Sequence, residues 1–204
     1  MAANFDILFC DWSGCISNDL LTVYNAHART IEQFGKKVVS LDEWRRLFTS
    51  LKAIYSAFGV ELPITAPYRD YPEFYEDVVN TGLKPTVYPE TPAVLERISR
   101  EVPIVIVSAQ MQHALDREAE EYGVRKFLTR VYGDVQDKAE LILREKGSAK
   151  ALFVEDMIEG IRAGKRAKVA TVAVTRGYHF EDMLRAENAD FYINNLNDLE
   201  RIIF

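Results

Sequence analysis

Asp11, Ser108, Lys138 and the adjacent pair Glu155-Asp156 are the positions at which this chain could do chemistry. Asp11 follows the apolar run 5–10 and precedes Ser13-Gly14; Ser108 closes the run 103–107, and Glu155-Asp156 follow the run 151–154. An apolar run that stops at a polar side chain reads as a buried strand opening into a loop, here one that exposes Asp11 and whose Gly14 permits close backbone approach. Carboxylates drawn from separate strand ends suit a hard divalent cation such as Mg²⁺, which takes oxygen ligands. Plainer roles exist for each. Asp11 could cap its loop, and Glu155-Asp156 could cap a helix starting near Met157. Lys138, at a helix start, could be a solvated surface residue, although its charge opposes the helix dipole there.

The elements that must position these residues alternate. From Pro89 onward, strands are expected at 103–108, 128–132, 151–154, 169–174 and 190–193. Helices are expected between them at 111–122, 137–146 and 158–167, with a closing helix at 196–203. Such alternation predicts an α/β fold, a Rossmann-like doubly wound parallel sheet with helices on both faces. Ligands bind outside the carboxyl ends of such strands, so Asp11, Ser108 and Glu155-Asp156 can converge on one crevice. Residues 18–82 differ in character, with helical periodicity and many aromatics. Helices are expected at 25–34 and 41–58, the second opened by Ser40 with Glu43 three residues on, a capping box. A further helix is expected at 71–79, with Pro63, Pro67 and Pro72 breaking the region. The domain reading is therefore a core of 1–17 and 83–204 carrying a helical insertion at 18–82.

Composition narrows the function. With 204 residues, 48% of them hydrophobic, the chain can bury a core without disulfides. A formal net charge of −6 leaves no basic surplus for nucleic-acid phosphates. The two cysteines, Cys10 and Cys15, make no disulfide framework, and a reducing cytoplasm is the simpler assumption. The N-terminus carries no secretion signal and no apolar run is long enough to cross a bilayer, so no membrane association is expected. His113 and His179 lack ligand-like spacing, which argues against zinc.

Taken in order, these segments resemble the four signature motifs of the haloacid dehalogenase-like superfamily, over nearly the whole chain. FDILFCDWSG is similar to the family's apolar strand followed by Asp-x-Asp-Gly, and IVIVSAQ to the strand ending in Ser or Thr. Lys138 follows the Tyr132-Gly133-Asp134 turn, and LFVEDMIEGIRAGKRA resembles the Glu-Asp version of β-phosphoglucomutase-like members. The resemblance implies a Mg²⁺-dependent hydrolase acting on a small phosphorylated metabolite. Asp11 would be the nucleophile, forming an aspartyl-phosphate and splitting hydrolysis into two displacements. Asp11, Asp156, the backbone carbonyl of Ser13 and Glu155, directly or through water, would hold the metal. Lys138 would neutralise charge, while Ser108 and the following amide of Ala109 would bind phosphate oxygens. The helical insertion would be the family's cap, hinged near 15–18 and 82–86, with Tyr24, His27, Arg29, Arg45 and Arg46 as possible specificity residues.

The sequence departs from the family at Ser13, where phosphatases of this kind carry a second Asp that acts as acid and base. A serine is a poor proton-transfer group near neutrality, so slow turnover or a binding role is expected. Asp-Trp-Ser-Gly is also similar to the Asp-Trp-Ala-Gly opening of phosphonoacetaldehyde hydrolase. That resemblance offers Lys52 as a Schiff-base lysine for C–P cleavage, with Lys36 and Lys37 as competitors and a surface lysine as the plain alternative.

Overall fold

The apolar runs become strands of one sheet. The computed structural model describes residues 3–59 and 66–204. In chain order the elements are β1 (Ile7–Cys10), β2 (Ser17–Asn18), α1 (Leu20–Gln33), α2 (Leu41–Leu47), α3 (Leu51–Ala57) and α4 (Ala66–Asn80). Then come β3 (Thr86–Val87), α5 (Thr91–Ser99), β4 (Ile104–Val107), α6 (Gln112–Glu121), β5 (Arg130–Tyr132) and α7 (Lys138–Lys146). The chain closes with β6 (Ala151–Glu155), α8 (Ile158–Arg166), β7 (Ala170–Val174), α9 (Glu181–Ala186), β8 (Phe191–Ile193) and α10 (Leu199–Ile203). Among the described residues, six strands form one parallel sheet in the order β5-β4-β1-β6-β7-β8. This is the expected doubly wound α/β architecture.

Burial on both faces explains why the strands read as continuous apolar runs. In β1, Leu8 and Cys10 point into a cluster with Val94, Leu95, Ile98, Leu115 and Ile203. Phe9 points the other way, into a cluster with Ala139, Ile142, Phe153, Ala163 and Ala167. Each such side chain, fully buried, contributes roughly 1.5–3 kcal/mol. The chain leaves β1 toward β4 on one side and later leaves β6 toward β7 on the other. The switch point therefore lies between β1 and β6, whose ends carry Asp11 and Glu155-Asp156.

The chain divides into two units, Met1–Asn18 with Thr86–Phe204, and Asp19–Pro85. In the second unit α1 packs along α4. Its core holds His27 among the rings of Trp44, Phe48, Tyr55 and Tyr71, at centroid distances of 4.9–6.1 Å. The single helix expected at 41–58 is instead two. Ser40 Oγ accepts from Glu43 N at 3.3 Å to start α2, and Ser50 Oγ accepts from Ala53 N at 3.1 Å to start α3. A second N-cap serine interrupts a periodicity that runs through it. Helices α5 and α9 were not among the expected elements, and α1 starts at Leu20 rather than residue 25. No helix among the described residues is long and apolar enough to cross a membrane.

Candidate active site

Register brings the acids together. Cys10 pairs with Val154, and Asp11 N then donates to Val154 O at 2.9 Å, so Asp11 stands beside Glu155 at the open end of the sheet. Asp11, Glu155 and Asp156 each offer a carboxylate oxygen within 4.8 Å of the others, and all three are buried. Asp11 is only 4% exposed, so its loop does not expose it as the sequence reading expected. Lys138, the first residue of α7, reaches between two of the acids. Its Nζ lies 2.7 Å from Glu155 Oε2 and 3.0 Å from Asp11 Oδ1. The contact to Asp11 is an ion pair without hydrogen-bond alignment, which leaves Asp11 Oδ1 a buried oxygen with no donor.

Glu155 does two jobs. One oxygen pairs with Lys138, while the other accepts from the amides of Asp156 and Met157 at 2.9 and 3.1 Å. Those two amides precede α8, whose first amide, Ile158 N, donates instead to His179 Nδ1 at 2.9 Å, so Glu155 orders the loop before the helix and does not cap it. It fits because Gly160, in the first turn of α8, leaves room: a Cβ there would collide with the Glu155 carboxylate. Asp156 is enclosed in the same way. Its Oδ2 accepts from Tyr178 N at 2.6 Å, and a Cβ on either Gly14 or Gly177 would overlap that oxygen. Gly14 also has φ +71°, a conformation that favours glycine.

Charge and burial set the proton affinities. Burial first, then the neighbouring Glu155 charge, pushes Asp11 up to about 7, opposed by Lys138. Asp156 is raised well above the carboxylate range by burial and by the charges of Glu155 and Asp11. Burial opposes ionisation of Glu155 and Lys138 as well, yet their attraction prevails, lowering the acid and raising the base. Lys138 is therefore a charged, mostly enclosed lysine held by two carboxylates and not a freely solvated one.

Ser108 is buried at the end of β4, and its Oγ accepts from Gln110 N at 3.1 Å, which bends the following loop. Ala109, within that turn, is exposed. Strands β4 and β1 are neighbours, so this loop and the Asp11 loop rise side by side. Ser13 is partly exposed and forms a bridge with Ser17. Lys52 belongs to α3, but its side chain lies outside the described residues. Tyr24 gives its hydroxyl to Val39 O at 2.7 Å, and Arg29 pairs with Asp77 at 3.6 Å. Gly177 and Tyr178, which enclose Asp156, escaped the sequence reading. A signal was available: Thr-Arg-Gly-Tyr follows the apolar run of β7 as Asp-Trp-Ser-Gly follows that of β1.

The profile of the haloacid dehalogenase-like hydrolases matches residues 7–174, which include Asp11, Ser108, Lys138, Glu155 and Asp156. The chain belongs to that family. A search of the curated proteins finds no match. Among solved structures, a haloacid dehalogenase-like family hydrolase from Streptococcus pneumoniae has 14% identity and a TM-score of 0.78, covering 97% of this chain and 98% of that one. A protein from Clostridium acetobutylicum, named provisionally as a phosphatase, has 15% identity and a TM-score of 0.81 over 97% of both chains. One from Lactobacillus plantarum, named provisionally as a phosphoglycolate phosphatase, has 15% identity and a TM-score of 0.81 over 99% of this chain and 100% of that one. Identities this low establish a shared fold. The chain is a haloacid dehalogenase-like hydrolase with a Rossmann-like core.

The glycine cradle gives a direct test within this hydrolase. Gly177→Ala would place a methyl group against Asp156, whose Cγ lies 2.6 Å from the ideal Cβ position. Overpacking of this kind costs about 1–3 kcal/mol. The thermal midpoint should fall by roughly 2–4 °C for each kcal/mol lost. An unchanged midpoint would show that the carboxylate has room to move.

Proposed function

We propose that this hydrolase is a Mg²⁺-dependent phosphatase that cleaves a small phosphorylated metabolite through an aspartyl-phosphate on Asp11. The observation that carries the reading is Lys138 Nζ set between Asp11 and Glu155, with Asp156 in the same buried cluster. The donor set fits a hard cation: three carboxylates, a buried Asp11 oxygen lacking a hydrogen-bond donor, and a glycine cradle that fixes Asp156. Asp11, Asp156 and the carbonyl of Ser13 would hold Mg²⁺, with Glu155 in reserve because both its oxygens already have protein donors. When bound, the ion supplies positive charge that lowers repulsion between carboxylate and phosphate.

The side chains of this protein do the rest. An Asp11 carboxylate oxygen attacks phosphorus, and the bond from phosphorus to the leaving oxygen breaks. That oxygen keeps the electron pair and takes a proton from water. Lys138 favours the ionised form of Asp11 against the effect of burial and faces the phosphoryl oxygens, and the Ser108 hydroxyl with the Ala109 amide donates to them. Water then attacks the aspartyl-phosphate, releasing inorganic phosphate, returning the carboxylate and passing its proton to solvent. Residues 18–82 would serve as the cap that excludes water and reads the leaving group.

Ser13 leaves the leaving group without a strong acid, so turnover should be slow. Ser13→Asp should raise kcat on an aryl phosphate about 10²-fold, within the usual range for acid–base assistance. The assay is Mg²⁺-dependent release of the phenolate with and without chelator. Failure of wild-type and variant alike to hydrolyse the ester would refute the phosphatase reading, and an equal rate would refute the missing-acid explanation.

A further inference from the structure

Beneath the Asp11 loop lies a second buried carboxylate, on the middle of α6. Glu118 is 2% exposed. Its Oε2 accepts from Trp12 Nε1 at 2.7 Å and from Ser17 Oγ at 3.4 Å, while Oε1 receives Gln110 Nε2 at 3.5 Å. Trp12 is fully buried and stacks on Tyr122 with centroids 5.7 Å apart and planes 6° apart. Tyr122, just past the end of α6, exchanges a further hydrogen bond with Ser17 at 3.1 Å.

The three partners belong to three functional segments. Trp12 is the residue between the nucleophile and Ser13, Gln110 ends the Ser108 turn, and Ser17 starts the strand that leads out of the core. Trp12 also anchors its own loop through the backbone, its carbonyl accepting from the amides of Ile16 and Ser17 at 2.8 and 2.9 Å. The indole is therefore rigid at both ends, and the acid at its far end ties it to the neighbouring loop. We infer that Glu118 is a positioning residue, which fixes the Asp11 loop and the Ser108 loop relative to each other so that nucleophile and phosphate donors meet one phosphoryl group. This inference rests on the phosphatase reading for its effect on rate, but the tie itself does not. Alignment is where such a residue acts, since an error of about 1 Å in a reacting pair costs on the order of 10²-fold.

A pair of readouts separates the tie from the chemistry. Amide hydrogen exchange should show protection falling about tenfold in Glu118→Leu at both 11–14 and 108–110, with the amides of β7 unaffected at the same temperature. Loosening confined to α6, or a uniform loss through the whole core, would overturn the inference whatever reaction the site performs. With an aryl phosphate and Mg²⁺, Glu118→Leu and Trp12→Phe should each lower kcat about 10–100-fold with KM held within about threefold. The double variant should be no slower than the worse single one, because both remove the same contact. Glu118→Gln keeps a carbonyl acceptor for the indole N–H and should recover most of the loss. Fully additive losses, or a lowered melting point with unchanged kcat, would reduce Glu118 to a structural residue. Wild-type protein without turnover would instead refute the phosphatase reading and leave the exchange result to decide the tie.

Discussion

Asp11→Asn should abolish hydrolysis of an aryl phosphate while making the metal-free protein harder to unfold. The loss of turnover follows from the nucleophile. An amide cannot form the acyl-phosphate, and removing a covalent nucleophile costs roughly 10⁴–10⁶-fold in kcat. The gain in stability follows from the proton affinity. Asp11 is raised to about 7 in the folded protein, by burial and by Glu155, from 3.8 for the free side chain. Below pH 3.8 the group is protonated in both states and contributes nothing. As pH rises through that value the unfolded chain releases its proton first, and the folded state pays increasingly until pH 7, beyond which the penalty is constant. Asn removes the penalty, on the order of 4 kcal/mol, while Lys138 keeps Glu155 as its partner. Urea unfolding of the two proteins at pH 4 and pH 8, in chelator, checks this. The curves should nearly coincide at pH 4 and separate at pH 8. Equal stability at both values would show that the Asp11 carboxylate is not paying for its burial, and residual hydrolysis by the Asn variant would remove Asp11 from the reaction.

The second large effect concerns the inserted unit. His27 is 1% exposed, ringed by Trp44, Phe48, Tyr55 and Tyr71, and its Nδ1 has no hydrogen-bond partner among the described residues. Burial lowers it to about 3 from the ordinary 6.5. Here the sign is opposite in pH. Stability is complete above pH 6.5 and declines as pH falls, because the unfolded chain takes up the proton that the folded one refuses. The slope approaches about 1.4 kcal/mol per pH unit. The total reaches about 5 kcal/mol near pH 3. Between pH 7 and 4.5 the unfolding free energy of the inserted unit should drop by about 3 kcal/mol in the wild type and stay nearly flat, as far as this residue is concerned, in His27→Phe. Trp44, 5.4 Å from the imidazole, reports the transition by its fluorescence. The same acid slope in both proteins would mean that other groups control it.

Much of this was legible in the sequence, for a physical reason. A parallel sheet buries both faces, so its strands stand out as apolar runs, and the polar residue ending each run marks the rim where ligands bind. Asp11, Ser108 and Glu155-Asp156 are picked out in that way, and Lys138 through the resemblance to the family's third motif. What escaped depends on partners distant in sequence. Glu118 lies on an amphipathic helix among other acids, where a carboxylate reads as solvent-facing, and the residue that buries it, Trp12, is 106 positions away. His27 reads in the sequence as a possible specificity residue, whereas it is buried, because the rings around it come from three other helices. The break between α2 and α3 needed the knowledge that Ser50 caps a new helix, although serine in mid-pattern is tolerated in an unbroken one. Gly160 and Gly177 appeared as ordinary small residues, since their purpose is the space they leave for Glu155 and Asp156.

The short ribbon of β2 and β3 has a consequence for how such proteins diversify. Ser17 pairs with Val87 and Asn18 with Thr86, so the chain departs from the sheet and comes back to it at adjacent points. The excursion of 19–85 is thus a closed loop as far as the Rossmann-like layer is concerned, and lengthening it adds only a slowly growing entropic cost. Inserted sequences can be exchanged wholesale at those two rungs while the sheet registers stay as they are. Under the proposed function, selectivity and reaction type would then be inherited separately, one from the graft and the other from the trunk.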